Sequence, residues 1–121
     1  MKESEVRNRA RQFAIEVVGI CKQIDVRGGN GVLVNQIVRS ATSIGANVYE
    51  AHYAASKADF INKLHIALKE CAETEYWIDL LVGAAAIDEA TANQFLQECG
   101  IIRRMLVKSI NTAKASLSKE E

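Results

Sequence analysis

The stretch from Gln36 to Ala51, QIVRSATSIGANVYEA, decides the fold of this chain. Its apolar residues recur every three or four positions, at Ile37, Ala41, Ile44, Val48 and Ala51. This spacing predicts an amphipathic α-helix whose apolar side packs nearly parallel to other helices. The opposite side carries only Arg39 and Glu50 as charges. A helix side exposed to water normally carries Lys and Glu, so we expect this helix to be covered on more than its core side.

The same three-four spacing recurs along the rest of the chain and predicts four helices. The apolar seams of the other three helices comprise Val6, Ala10, Phe13, Val17, Ile20 and Ile24; Phe60, Leu64, Ala67, Cys71, Thr74, Ile78 and Leu81; and Ala92, Phe95, Cys99, Ile102, Leu106, Ser109 and Ala113. The expected bounds of the four helices are from after Ser4 to about Val26, Val32 to Tyr53, from Ser56 to near Gly83, and from Asp88 to about Leu117. No segment alternates as a β-strand would. Short connectors make successive helices antiparallel neighbours. The sequence therefore predicts an all-α, up-down-up-down four-helix bundle in one domain, residues 1–121.

The ends of these helices carry recognisable signals. Ser4, Ser56 and Asp88 are expected N-caps, and Ser56 followed by Asp59 resembles a capping box. The run RGGNG at residues 27–31 predicts a turn after the first helix. Helices 3 and 4, at about 29 residues each, should project beyond the other two by about a turn or more. Such an overhang needs cover, which points to self-association.

Composition and charge exclude several classes of protein. The chain has 121 residues and no proline, and its 15 basic side chains balance 15 acidic ones. Apolar residues make up 49% of it, as in ordinary globular proteins and unlike disordered ones. Because the net charge is zero, the whole molecule does not attract phosphate backbones or anionic membranes. Nucleic-acid binding would need a local basic patch.

Cysteine usage and the distribution of apolar residues favour a cytoplasmic protein. Cys21, Cys71 and Cys99 lack CxxC spacing, so we expect reduced thiols in the core rather than disulfides or a zinc knuckle. Residues 1–5 are not followed by the apolar run of a signal peptide. The longest strongly apolar stretch, residues 80–87, is far shorter than the roughly 20 residues that span a bilayer.

Helical bundles often hold metal ions through Glu-x-x-His pairs, so both histidines were compared with that pattern. The residue three positions before His65 is Asn62, and the residue three positions before His52 is Tyr49. Neither histidine falls on an apolar seam, and we expect both at the surface. The sequence thus predicts no metal site and no cofactor.

The acidic residues of helix 3 are the remaining candidates for catalysis. Glu70 and Glu73 could share a face with Glu75 nearby, but acid–base work requires burial that separates their pKa values. We expect these carboxylates to form salt bridges, in solvent or between subunits. The chain also lacks a recognisable Ser/His/Asp set, and no Arg is followed by His after four to six residues. We predict no catalytic residues and a protein that is not an enzyme.

Basic residues of helices 1 and 4 offer an alternative function. If these helices are adjacent, five residues could form one stripe that contacts phosphates: Arg7, Arg11, Arg103, Arg104 and Lys108. The interleaved acids Glu3, Glu5 and Glu98 favour an ordinary solvated face instead. Nucleic-acid binding is therefore the second hypothesis.

The stretch at residues 36–51 resembles the signature of the four-helix-bundle family encoded in 23S rRNA intervening sequences, approximately Q-hydrophobic-x-R-S-x-x-S-I-x-A-N-I-x-E-G. The resemblance continues on helix 3 and, more loosely, on helix 4, through Ser56, Asp59–Phe60, Leu64, Ile66–Glu70, Glu73, Tyr76–Trp77 and Arg104–Leu106. It implies an antiparallel bundle that assembles into homopentamers, in a family whose molecular function is not established. Ala51 replaces the usual Gly, so helix 2 is expected to continue past its usual end.

The resemblance also bears on partners. The position of the reading frame inside rRNA insertions implies an RNA-related role, and the related accessory protein of diversity-generating retroelements binds nucleic acid and a reverse transcriptase. That relative is strongly basic, whereas this chain is neutral. The first hypothesis is therefore a non-enzymatic, self-assembling scaffold or adaptor with itself and a protein as partners. RNA is the alternative partner.

The motif residues of helix 2 then receive a structural role. We hypothesise that they serve packing and subunit contact, namely Arg39, Ser40, Ser43, Asn47 and Glu50. Arg39 is expected to pair with an acid of helix 3, either Glu70 or Glu73.

Overall fold

The computed structural model describes residues 2–120, and the side chains of residues 5–119. Its α-helices are α1 (Lys2–Cys21), α2 (Asn30–Ala51), α3 (Lys57–Gly83) and α4 (Glu89–Glu120), with a short 3-10 helix at Arg27–Gly29. Residues 2–120 contain no strand. α1 and α3 each pack against α2 and α4, so α1 lies diagonal to α3 and α2 diagonal to α4. The predicted antiparallel four-helix bundle is confirmed.

The core is built from the predicted seams. Phe13 of α1 and Phe95 of α4 meet edge to face within it, with ring centroids 5.9 Å apart. Most other seam residues are also buried, including Val17, Ile37, Ile44, Leu64, Ile78, Ile102 and Leu106. Ile61 and Ile110 are buried but were not predicted, whereas the predicted Phe60 is only partly buried. Near the start of α3 and in the second half of α4, the buried side chain therefore lies one residue later in the sequence than predicted.

Side-chain caps begin α3 and α4 as expected. Ser56 Oγ accepts a hydrogen bond from the Asp59 N–H at 3.0 Å. The Asp59 carboxylate accepts from the Ala55 N–H at 3.3 Å, one residue before the cap. Asp88 accepts from the Thr91 N–H at 2.8 Å. Each contact satisfies an N–H group that has no partner within its helix.

The predicted bounds of the first helix are wrong at both ends. α1 begins at Lys2, so Ser4 lies inside the helix and does not cap it. It ends at Cys21, five residues before Val26. The Asp25 carboxylate accepts from the Arg27 N–H at 3.0 Å, and this local bond competes with helix continuation. Ile24 nevertheless packs against the core from the turn.

Two glycines set the start of α2. Gly28 and Gly29 have φ of +77° and +103°, values that residues with a Cβ rarely adopt. α2 therefore begins at Asn30, two residues before the predicted start. It ends at Ala51, so the extension toward Tyr53 that the Gly replacement suggested does not occur.

α3 and α4 have 27 and 32 residues, close to the expected length. Ser109 of α4 lies near Glu5 of α1, and α4 continues for eleven more residues beyond it. At 1.5 Å per residue this is about 16 Å. The segment runs beside the start of α3, where the Lys57 ammonium donates to Ser116 Oγ at 2.7 Å. α4 thus projects past the start of α1, as predicted.

The cysteines and histidines lie where they were expected. All three cysteines are free and buried. Cys99 Sγ lies 3.5 Å from the Cys71 carbonyl oxygen. A side-chain hydrogen bond with Cys71, together with burial, raises the pKa of the Cys99 thiol. Burial also raises the pKa of Cys21. His52 and His65 are exposed. Among the described residues, none of the helices is long and apolar enough to cross a membrane.

Candidate subunit-contact surface

Arg39 joins α2 to α3 through two carboxylates. Its guanidinium lies 3.5 Å from Glu70 Oε2 and also donates to Glu73 Oε1. The Arg39 side chain is half-exposed, while that of Glu70 is largely covered. The predicted pairing of Arg39 with the acids of α3 is confirmed, and it involves both of them.

Ser40 lies inside the bundle. The Thr74 hydroxyl donates to Ser40 Oγ at 2.8 Å, and Ser40 Oγ donates to the Ile37 carbonyl at 3.3 Å. Ser40 and Thr74 are fully buried. Ser40 therefore links α2 to α3 within one chain and leaves no surface for a second chain, which restricts it to the packing part of its expected role.

Ser43 and Asn47 continue from Ser40 along α2 and are partly buried. The Asn47 amide donates to the Ser43 carbonyl at 2.8 Å, one turn earlier. This polar stripe of α2 is thus partly covered within the chain by α3. The remaining open side of α2, which carries Thr42, Ala46 and Tyr49, faces α1 and solvent.

Glu50 ends the motif and pairs with Lys63 of α3 at 3.1 Å. With the Arg39 group it forms a charged surface along the α2–α3 contact. We call this surface the acidic cluster, and it comprises Arg39, Glu50, Lys63, Glu70 and Glu73. Its three carboxylates and two cations leave one negative charge.

A groove runs between α1 and α2 on the other side of α2. We call it the α1–α2 groove; it measures about 620 Å³ and is lined by Arg7, Asn8, Arg11, Ala14, Ile15, Thr42, Gly45, Ala46 and Tyr49. The helices approach closely at its floor, because a Cβ on Gly45 would lie 3.7 Å from the Ala10 backbone. Ile15 and Tyr49 are about half-exposed, at 47% and 52%.

Two arginines give the α1–α2 groove its charge. Among the side chains of residues 5–119, no carboxylate pairs with Arg7 or Arg11. The Arg7 guanidinium instead lies 5.9 Å from the ring centre of Tyr49, which contacts the ring of Tyr53. A hydrogen bond with Tyr53 raises the pKa of Tyr49, so its hydroxyl stays neutral at physiological pH. The groove therefore carries two uncompensated positive charges.

The basic residues of α4 lie apart from this pair. Arg103 points to α3 and donates to Glu75 at 3.4 Å, on the side of the bundle opposite the groove. Arg9 pairs with Glu98 at 3.0 Å along the α1–α4 contact. Lys108 lies beside Ser109 and Phe60 near the projecting part of α4. The expected single stripe of five basic residues does not form, although α1 and α4 are adjacent, because Arg7 and Arg11 turn toward α2.

Gly100 of α4 lies beneath the side chains of Arg103 and Arg104. It is buried inside a helix, yet no neighbouring helix lies within 4 Å of the position its Cβ would take. The guanidinium nitrogens of Arg103 and Arg104 lie over it instead, at 3.5 and 3.4 Å from that position. The glycine thus leaves room for two arginine side chains to lie along their own helix.

The described residues provide no constellation for catalysis or metal binding. Residues 2–120 hold no cluster of three His, Cys, Asp or Glu side chains that could bind a metal ion. Glu70, Glu73 and Glu75 each pair with an arginine, as expected for salt bridges. Glu70 Oε1 and Trp77 Nε1 are buried without a hydrogen-bond partner, but the two residues lie two helical turns apart and form no common site.

The family model described as 23S rRNA-intervening sequence protein matches residues 2–108, which is most of the chain. The chain belongs to this family. A solved structure of a protein with unknown function from the S23 ribosomal protein family of Bacteroides thetaiotaomicron VPI-5482 superposes with a TM-score of 0.87 at 40% identity. The alignment covers 92% of this chain and 99% of that one. No curated protein matches. The comparisons thus assign the family and the fold, and the family's function is unknown.

The α1–α2 groove is the feature that sequence reasoning missed. Ile15 lies off the α1 seam, and Ala14 precedes it, so α1 carries apolar residues where a solvated face is expected. Together with Thr42 and Ala46 of α2, these residues could have indicated a second contact surface. The sequence did not reveal that the two helices place these residues side by side.

Proposed function

We propose that this protein is a non-enzymatic, self-assembling scaffold or adaptor of the cytoplasm, and that its assembly is a homopentamer. The observation that carries the proposal is the α1–α2 groove, which exposes Ile15 and Tyr49 between two arginines that have no carboxylate partner among the described side chains. Exposed apolar side chains rimmed by polar ones are typical of protein contact surfaces. The number of subunits follows the family resemblance.

Further exposed apolar side chains support self-association. Val32 and Tyr53 are 67% and 72% exposed, and both lie on or just after α2. Tyrosine and arginine are also the residue types that contribute most to protein interfaces. The motif residues Arg39, Ser43, Asn47 and Glu50 lie on the α3 side of α2 and are proposed to shape a second contact there, with Ser40 fixing α2 to α3 from inside.

Light scattering of the purified chain tests this proposal. Five chains of 13.3 kDa would give a particle of about 67 kDa. A mass of one chain across micromolar concentrations would refute the assembly. A pull-down from native cells with and without nuclease would then separate a protein partner from an RNA partner.

RNA binding is the second candidate, and Arg7 and Arg11 favour it. They have no carboxylate partner among the side chains of residues 5–119 and lie beside Tyr49 and Tyr53, whose exposed rings could stack on bases. Arg103 contributes less than expected, because Glu75 neutralises it. The surface available to RNA is therefore the α1–α2 groove rather than a stripe along α1 and α4.

Filter binding with structured rRNA fragments tests the second candidate. Two phosphate contacts per chain predict a log–log salt slope of about −1.4 to −1.8 per chain. Arg7→Ser with Arg11→Ser should abolish the affinity, and Arg27→Ser, which alters a pair on the far turn, should preserve it. Absence of binding at a salt concentration of about 50 mM would eliminate this function.

A further inference from the structure

The two sides of α2 carry net charges of opposite sign among the described side chains. On the α1 side, Arg7 and Arg11 give the groove two positive charges. On the α3 side, the acidic cluster retains one negative charge, and its Glu50 and Glu73 side chains are 57% and 35% exposed. Each surface therefore has charge to offer that its own chain does not neutralise.

The two surfaces also stand at the same level along the bundle. Gly45 lies against Ala10, and it follows Ser40 by five residues on α2. Because Ser40 bonds Thr74 and α3 runs antiparallel, Gly45 stands level with Lys69, the neighbour of Glu70. Arg11 is thus level with Glu70 and Glu73 to within about one helical turn, 5 Å.

Arg7, the second arginine of the groove, also lies level with an acidic residue of the cluster. Arg7 contacts Tyr49, the residue before Glu50. Two copies related by rotation about an axis along the bundle keep their residues at equal heights. Such a rotation can bring Arg7 of one copy toward Glu50 of the next, and Arg11 toward Glu73.

A two-fold contact between identical grooves would be unfavourable. It would place Arg7 and Arg11 of both copies together, four cations without an acid among them. Like charges brought together at an interface cost several kcal/mol. The charges therefore favour a contact between different surfaces of the two copies, and such head-to-tail contacts form a ring when the rotation between copies closes.

We propose that the α1–α2 groove of each copy receives the acidic cluster of the next copy, with Arg7 facing Glu50 and Arg11 facing Glu73. This assignment rests on the proposed self-assembly and names the contact surfaces within it. Because both surfaces border α2, the contacts to the two neighbours converge there. α2 lies nearest the ring axis, which accounts for its having only Arg39 and Glu50 as charged residues.

Charge-reversal variants of the full chain test this contact by light scattering and sedimentation velocity. Arg7→Glu with Arg11→Glu should raise the subunit dissociation constant on the order of 100-fold, because each groove then repels the acidic cluster. Glu50→Lys with Glu73→Lys should do the same. Lys22→Glu with Lys114→Glu, an equal charge change on other surfaces, should retain the wild-type mass.

Mixing separates this contact from other modes of assembly. The two reversed variants each repel themselves but attract each other, so an equimolar mixture should form particles of more than two chains. These chains must alternate, so closed particles contain an even number of subunits. Circular dichroism establishes that each variant folds, and Glu50→Gln with Glu73→Gln replaces the lysine variant if that one unfolds.

The outcomes distinguish the two proposals. A monomeric wild-type chain would refute the self-assembly and this contact with it. A wild-type assembly whose mass survives Arg7→Glu with Arg11→Glu would refute the contact alone. A mixture that remains monomeric while both variants are folded would also refute it.

Discussion

At the scale of single residues, Arg39 carries more of the α2–α3 contact than a surface arginine usually does. It is the only cation within ion-pair distance of Glu70 and Glu73 among the described side chains, and Glu70 is largely covered. Exposed ion pairs contribute little, but removing a cation from two neighbouring carboxylates leaves them repelling each other.

Arg39→Ala should therefore destabilise the fold by about 1 kcal/mol, a fall in Tm of about 4 °C. It should also weaken assembly, because the acidic cluster changes shape and charge. Thermal melts and light scattering measure the two effects. Arg27→Ala, which removes an ion pair with 90% exposure of the arginine, serves as the control and should leave both unchanged. An Arg39→Ala protein with wild-type Tm and mass would contradict this role.

Replacement of glycine by alanine should have opposite effects on stability at Gly19 and at Gly28. A Cβ on Gly19 of α1 would meet nothing within 4 Å, so Gly19→Ala should stabilise the helix by about 0.5–1 kcal/mol. Gly28 has a φ of +77°, so Gly28→Ala should cost about 1 kcal/mol. Urea unfolding measures both. Equal effects of the two substitutions would show that backbone conformation does not limit the turn.

At the scale of elements, the sequence pattern correctly predicted the interiors of the helices. It predicted their ends only in part. The three-four spacing located Phe13, Ile44 and Leu106 in the core, because periodicity depends on each helix alone. The end of α1 depended on the hydrogen bond between Asp25 and the Arg27 N–H, which competes with a helix that the pattern would continue. Ser56 and Asp88 were identifiable because their caps act within three residues.

The cap of α4 predicts a pH effect. Contacts with Thr91, through its side chain first and its backbone N–H next, lower the pKa of Asp88 below its usual 3.8. A lowered pKa in the folded state stabilises the protein above the unfolded pKa, and this stabilisation is lost as the pH falls through the folded value. Asp88→Ala should therefore lower Tm by a few degrees at pH 7 and make no difference well below pH 3.8. Melts between pH 7 and pH 2 test this. A difference in Tm that persists at the acid end would contradict it.

At the scale of the whole molecule, the packing of the helices determines which basic residues share a surface, and the sequence pattern alone did not predict this. Arg7, Arg11 and Arg103 were predicted to share one stripe on the condition that helices 1 and 4 are adjacent. They are adjacent, but Arg7 and Arg11 line the contact with α2, while Arg103 lines the contact of α4 with α3. Each helix packs against two others, and only the assembled bundle determines which of the two a given side chain faces. The sequence pattern alone therefore did not separate these surfaces.

The core also protects the thiols of the whole molecule. Cys71 and Cys99 have no exposed surface, and Cys21 is 7% exposed. Because a buried thiol reacts only after the protein opens, a disulfide reagent such as DTNB should modify three thiols in denaturant and almost none in the native protein. The reaction rate should rise with urea along the unfolding curve. Rapid modification of one thiol in buffer would show a local opening of the bundle.

The diagonal position of α4 relative to α2 governs where probes can be attached. If the α2 helices of the subunits surround the ring axis, the α4 helices form the outer rim. Because the native thiols are buried, cysteines introduced by Asn35→Cys on α2 or Lys114→Cys on α4 can be labelled selectively with fluorophores. Energy transfer between subunits should be strong for labels at position 35 and weaker at position 114. Fusion proteins joined to the carboxyl end of α4 would then extend outward from the rim, without crossing the central axis.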